Sequence, residues 1–275
     1  MNNLPSGKDP LSKFRLDGRV AFLSGAAGHL GRPMAKALAY AGAHVVLNGR
    51  NQGALAAVAD EIRSAGLSAS VVCFDVTDGA EARRQIELIG EKHGRLDVLV
   101  NNASPSKPGT IKSATTADFD LLYRVNVVAA FELLQVAVPL LKETGAKTPG
   151  GASVINIASM YGMVSPDPSI YGTSGANNPP YYGAAKAALI QFTRYAACHL
   201  GTQGIRVNSI SPGPFPDVKY LERDPAFHDK LKAKNPMHRT GDPAELQGPL
   251  LFLASDASSY VTGVNLAVDG GWTAW

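Results

Sequence analysis

The stretch Val20-Ala21-Phe22-Leu23-Ser24-Gly25-Ala26-Ala27-Gly28-His29-Leu30-Gly31-Arg32 decides the fold. Four apolar residues without polar alternation predict a strand buried on both faces, and the glycines after them predict a tight turn into an apolar helix, Pro33 to Tyr40. Such a turn lets backbone amides approach an anion, while the helix terminus behind it offers free N–H groups and the positive end of its dipole. A dinucleotide diphosphate fits Gly25, Gly28, His29, Leu30 and Gly31. An ordinary glycine-rich connection has the same local sequence, and it is the position after the first strand that favours the cofactor.

Further apolar runs at Val45–Leu47, Val71–Phe74, Val98–Val100, Val154–Ile157, Val207–Ile210 and Val264–Val268 predict six more strands. Between them, Ala54–Ala65, Glu81–His93 and Leu121–Leu141 carry helix formers at helical spacing. Strand and helix alternate, so the expected fold class is α/β: a doubly wound parallel sheet in a single domain, with its ligand site beyond the carboxyl ends of the strands. Residues 1–15 read as a flexible tail and 16–275 as the domain. The Pro-, Gly-, Ser-, Asn- and Tyr-rich stretch at about 160–180 resists assignment.

The composition narrows the class. The chain has 275 residues, 45% of them apolar, and its 26 basic and 23 acidic residues are scattered and leave a net charge of +3. No basic tract favours nucleic acid or a membrane surface. Cys73 and Cys198, far apart, make neither a zinc site nor a disulfide framework, and both are expected to be buried thiols. No metal is expected. Met1–Pro10 has no apolar core of the signal type, and the location expected is cytoplasmic.

Where the second strand ends, Asn48-Gly49-Arg50 lacks the acidic residue that would bind the ribose hydroxyl of NAD. Arg50 suits a 2′-phosphate, which favours NADP, unless it is simply a solvated loop residue. In Tyr182-Gly183-Ala184-Ala185-Lys186 the spacing puts both polar side chains on one helix face, where an ammonium can favour a phenolate. Alone, that spacing equally describes a half-buried aromatic beside a solvated lysine. Ser159 follows a buried strand upstream of the same helix and can hold a substrate oxygen against Tyr182, or merely cap a turn. Asn126 is an amide within an apolar helical run, which can bridge to Lys186 through water or bond a neighbouring carbonyl. A serine hydrolase is excluded, since Ser159 sits in no Gly-x-Ser-x-Gly elbow and no histidine is placed to activate it.

Taken together, these residues resemble the classical short-chain dehydrogenase/reductase family from about Leu16 to the C-terminus. The glycine-rich turn, Asp75, Asn101-Asn102-Ala103-Ser104, Asn126, Ser159, Tyr182, Lys186, Pro212-Gly213 and Val268-Asp269-Gly270-Gly271 stand in the family's order. The resemblance implies a Rossmann-fold, nicotinamide-dependent oxidoreductase acting on a small alcohol or carbonyl compound. It implies Tyr182 as general acid/base, Lys186 on the nicotinamide ribose, Ser159 positioning substrate and Asn126 in a proton relay. It also implies Asp75 and Val76 at the adenine, Asn101, Asn102 and Ala103 along the cofactor, Pro212 and Gly213 beside the nicotinamide, and assembly as a homotetramer. Ser24 replaces the family's threonine, His29 its middle glycine, Ser104 a glycine, and Asp217 a threonine. Tyr182 stands 23 residues after Ser159, longer than the family norm. The excess, with Tyr161, Tyr171, Asn177, Asn178 and Tyr181, suits a sugar or sugar acid, as in similar gluconate dehydrogenases, or else packs on a neighbouring subunit. The alternatives are an NAD-linked sugar-alcohol or sugar-acid dehydrogenase and a cofactor-binding sensor without turnover.

Overall fold

The computed structural model describes residues 9–105, 107–172, 177–217 and 224–275. Seven parallel strands, β1 (Val20–Leu23), β2 (His44–Gly49), β3 (Ala69–Cys73), β4 (Val98–Asn101), β5 (Ala152–Ile157), β6 (Ile205–Pro212) and β7 (Asn265–Val268), form one sheet in the order β3-β2-β1-β4-β5-β6-β7. The order reverses between β1 and β4, which opens a crevice at their carboxyl ends.

Side chains of each strand alternate between two helical layers. Ala21, Leu23, Val45, Leu47, Val98, Val100 and Ile155 pack with α1 (Gly31–Tyr40), α2 (Gln52–Ser64) and α8 (Gln247–Ala254). Val20, Phe22, Val46, Leu99 and Val154 pack with α3 (Gly79–His93), α5 (Ala129–Lys147) and α6 (Pro180–Leu200). That is why the strands read as unbroken apolar runs. Each fully buried leucine or phenylalanine contributes about 1.5–3 kcal/mol.

Among the described residues four α-helices begin on side-chain caps: Asn51 for α2, Asp78 for α3, the Thr115–Asp118 capping box for α4 (Thr116–Tyr123), and Asp224 for the helix at Pro225–Lys234. Helix α1 has no side-chain cap, a difference that matters below.

Several expectations are corrected. The predicted helix Leu121–Leu141 is interrupted: α4 ends at Tyr123, a π-helical turn spans Arg124–Val128, and α5 follows. The predicted third strand lies at Ala69–Cys73, because Val45 of β2 registers with Ala69. Cys73 and Cys198 are exposed, not buried, since one ends the edge strand β3 and the other sits on the solvent face of α6. In the expected tail, Pro10–Phe14 forms a 3-10 turn capped by Asp9. Positions 1–8 lie outside the described residues.

The long segment after Ser159 holds two 3-10 turns, Met160–Gly162 and Pro168–Tyr171. It docks on α7 (Pro225–Lys234) through Tyr171 stacked on Phe227 at 5.4 Å and the Asp167–Lys234 ion pair. Positions 173–176 of this segment lie outside the described residues.

Candidate active site

The carboxyl ends of β1, β4, β5 and β6 deliver Gly25, Asn101–Ala103, Ser159 and Pro212–Gly213 to one edge of the sheet, and α6 brings Tyr182 and Lys186 to it. The turn after β1 is held from the neighbouring strand. Ser24 Oγ accepts the backbone N–H of Asn102 (2.9 Å) and Ala103 (3.0 Å), and Asn102 Nδ2 donates to the carbonyls of Ser24 (2.9 Å) and Gly25 (3.1 Å). Serine therefore serves as well as the family's threonine, because only the hydroxyl oxygen is used.

Gly25 has a φ of +64°, and a Cβ there would lie 2.9 Å from Asn102 Nδ2. A side chain at Gly31 would run into the Gly25 carbonyl. The turn is thus tightly closed, with the Ala26 N–H donating to the Asn48 carbonyl at 2.9 Å and the Gly28 N–H to the Gly25 carbonyl at 3.1 Å. No side chain caps α1; Arg32 N–H is taken by the Gly28 carbonyl at 3.0 Å and Pro33 has no N–H, so within the first turn of the helix the Gly31 amide remains for an anion, and the residues fit a dinucleotide diphosphate.

Arg50 and Asp75 follow β2 and β3 and meet at 3.6 Å in an exposed ion pair. Burial raises the Asp75 pKa, but hydrogen bonds from the Thr77 backbone and hydroxyl, with Arg50 nearby, bring it below the ordinary carboxylate value. Val76 is buried in the core beside Phe74. Asn101 and Asn102 shape the groove, since Asn101 Nδ2 donates to Asn156 Oδ1 at 2.8 Å and Asn102 braces the turn. Gly213 sits at the end of β6, where a Cβ would strike Asp269.

Tyr182 is half-buried and Lys186 is 2% exposed. Lys186 Nζ donates to the Ile157 carbonyl at 2.8 Å and lies 5.6 Å from the centre of the Tyr182 ring. The Ser159 side chain lies beside the Tyr182 hydroxyl, and Ser159 Oγ accepts the Tyr161 N–H at 3.2 Å. Burial pushes the Tyr182 pKa up, opposed by the Ser159 hydrogen bond, and burial pulls Lys186 down to about 7. Desolvation is the largest influence on both groups.

Asn126 lies in the π turn and is buried, its Nδ2 donating to the Leu122 carbonyl at 2.9 Å. Its Oδ1 and the Oδ1 of Asn101 are buried with no partner among the described residues. Both asparagines, with Ser24 and Lys186, line a cavity of about 10 Å³, about the room one water molecule needs.

Sequence reasoning missed the continuation of this polar chain. Asn156 Nδ2 donates to Thr193 Oγ1 at 2.8 Å and Thr193 bonds the Leu189 carbonyl, tying β4, β5 and α6 together. An amide inside the apolar run Val154–Ile157 was the available signal.

The long segment forms a wall beside the site. A pocket of about 530 Å³ lies between it, Thr110, Ile111 and the start of α6. The side-chain oxygens of Asn177 and Asn178 are buried there without a partner among the described residues. Tyr161 and Tyr171 are hydrogen-bonded to each other, and the Asn178 backbone reaches Tyr171. Tyr181 does not join the pocket: it is buried, with its hydroxyl donating to the carbonyls of Lys107 and Pro108, both at 3.2 Å.

The family model described as enoyl-(acyl carrier protein) reductase matches residues 25–273. A 2,5-dichloro-2,5-cyclohexadiene-1,4-diol dehydrogenase of Sphingobium indicum is 35% identical over 259 residues, 94% of this chain and 98% of that protein. Among solved structures, a gluconate 5-dehydrogenase from Burkholderia cenocepacia in complex with NADP and tartrate aligns with a TM-score of 0.85 and 33% identity, covering 97% of this chain and all of the other. A short-chain type dehydrogenase/reductase from Mycobacterium marinum aligns with a TM-score of 0.85 and 32% identity over 96% and 99% of the two chains. The family match over residues 25–273 and these relatives agree: the chain belongs to the short-chain dehydrogenase/reductase family, and it is an oxidoreductase.

Proposed function

We propose that this oxidoreductase exchanges a hydride between NADP and an alcohol or carbonyl carbon, with Tyr182 as general acid/base. The observation that carries the reading is the convergence of Ser159, Tyr182 and Lys186 next to an uncapped, glycine-lined helix terminus. A bound nicotinamide would supply or take the hydride. Ser159 orients the substrate oxygen toward the Tyr182 hydroxyl, and in the oxidative direction Tyr182 takes the alcohol proton as the carbonyl forms. Lys186, fixed by Ile157, favours the phenolate when charged and would reach the nicotinamide ribose. The small cavity lined by Asn126 and Lys186 supports a water-mediated path for the proton.

Arg50 is the basis for preferring NADP, since its mostly exposed guanidinium can leave the weak 3.6 Å contact with Asp75 for a 2′-phosphate. Asp75 and Val76 are assigned to the adenine end, and Pro212 and Gly213 to the nicotinamide.

The substrate proposed is a sugar or sugar acid. The unpartnered Asn177 and Asn178 oxygens accept hydroxyl donors, and no charged side chain lines the pocket among the described residues, which favours a neutral polyol over an acid. Exposed Leu121, Tyr123, Phe131 and Tyr195 on α4, the π turn's flank, α5 and α6 support assembly into a homo-oligomer, taken as a tetramer in the cytoplasm. The test is nicotinamide absorbance during turnover of sugars, sugar acids, steroids and simple ketones with NADP and with NAD. Turnover of polyols with NADP is expected; activity confined to NAD, or to substrates without hydroxyls beyond the reacting one, overturns the respective assignment.

A further inference from the structure

His29 occupies the place of a glycine in the family's turn, and its side chain reaches across the crevice. Its Nε2 lies 3.1 Å from the Phe215 carbonyl, and because a carbonyl only accepts, Nε2 is the donor. The two partners sit on different walls. His29 belongs to the turn after β1 and Phe215 to the loop after β6, and β4 and β5 stand between those strands. Three strand spacings are about 14 Å. The contact therefore passes over the carboxyl ends of β4 and β5, where a dinucleotide must lie if the function proposed above holds.

Both walls are firm. The His29 turn is braced by Asn102 and closed at Gly31. On the other side, Gly213 N–H donates to Val268 and Gly241 N–H to Pro214, while the Phe215 ring covers Gly241 so closely that a Cβ there would collide with it. Pro214 and Pro216 flank Phe215 and restrict its backbone. A glycine at position 29 has no side chain to make this connection.

We propose that the His29 imidazole is a latch over the cofactor cleft: it bonds Phe215 above the bound diphosphate–nicotinamide segment and slows cofactor release. The latch must open once for each entry and exit, so its hydrogen bond is felt in dissociation more than in association. One neutral hydrogen bond of this length corresponds to a change of about 3–10-fold in the release rate.

The test is stopped-flow displacement of NADPH from the full chain, followed by its fluorescence, for the unaltered protein, His29→Gly and His29→Gln. Release 3–10-fold faster in His29→Gly, with association within about two-fold and release in His29→Gln nearer the unaltered rate, supports the latch. Equal release rates in all three proteins, slower release from His29→Gly, or a change confined to association overturns it. Failure of the unaltered protein to bind NADPH would instead strike at the cofactor assignment itself, so the two failures are told apart.

Discussion

Lys186→Met should make the protein more stable while removing its activity. Lys186 is fully enclosed, and burial brings its pKa from the ordinary 10.5 to about 7. At about 1.4 kcal/mol per pH unit, that gap corresponds to about 5 kcal/mol of destabilisation when the ammonium is charged in the fold. Below pH 7 the lysine is protonated in both the folded and the unfolded chain, and the cost is present in full. Between pH 7 and 10.5 the unfolded chain binds more protons than the folded one, so stability climbs with pH and the cost is gone above 10.5. Methionine fills the space without charge but leaves the Ile157 carbonyl without its donor, a loss of about 1–3 kcal/mol. The net expectation is that Lys186→Met is more stable by about 2–4 kcal/mol at pH 6, with the advantage shrinking by pH 9.5. Urea unfolding of both proteins at the two pH values measures this. A variant no more stable than the parent at pH 6, or an advantage that does not change with pH, refutes the reasoning.

Arg50→Ala should weaken NADP binding about 10–100-fold, the range of a charge-assisted contact, and leave NAD affinity nearly unchanged, as titration calorimetry would show. His44, packed against His93 at 4.5 Å and bonded to Ser68 and Ser70, has its pKa lowered to about 4, first by burial and then by His93, Lys92 and Arg63. The unfolded chain therefore binds a proton that the fold refuses between pH 6.5 and 4, and stability falls as pH drops through that window; allowing for solvent screening, His44→Gln should lessen the fall by about 1–2 kcal/mol, read as thermal midpoints at pH 7 and 4.5. Replacing Asn177 and Asn178 by alanine should raise KM for polyhydroxylated substrates about 10-fold with little change for a simple ketone, and equal effects on both would contradict their assigned contact with hydroxyls.

The sheet was legible because its strands are covered on both faces, so each reads as an apolar run bounded by glycine or a cap. The pairing of Tyr182 with Lys186 was legible from helical spacing, and Ser159 from its place after β5. What escaped had no local mark. The π turn at Arg124–Val128 changes helical geometry without a proline or glycine to announce it. Tyr181 and Tyr182 are chemically alike neighbours, and only the fold shows that one is turned toward Lys107 and Pro108 while the other meets Ser159. The exposure of Cys73 depends on β3 being an edge strand, a property of strand order rather than of sequence. The bond from His29 to Phe215 joins residues 186 positions apart, a separation at which spacing carries no information.

The central claim is the proton transfer at Tyr182, and Tyr182→Phe removes the hydroxyl while keeping the ring. With a substrate found active in the parent, single-turnover nicotinamide absorbance and NADPH binding should be measured on both proteins. The account predicts turnover lowered at least about 10³-fold in the variant with NADPH affinity within a few-fold of the parent. A variant that keeps a substantial fraction of the parent's turnover would contradict it.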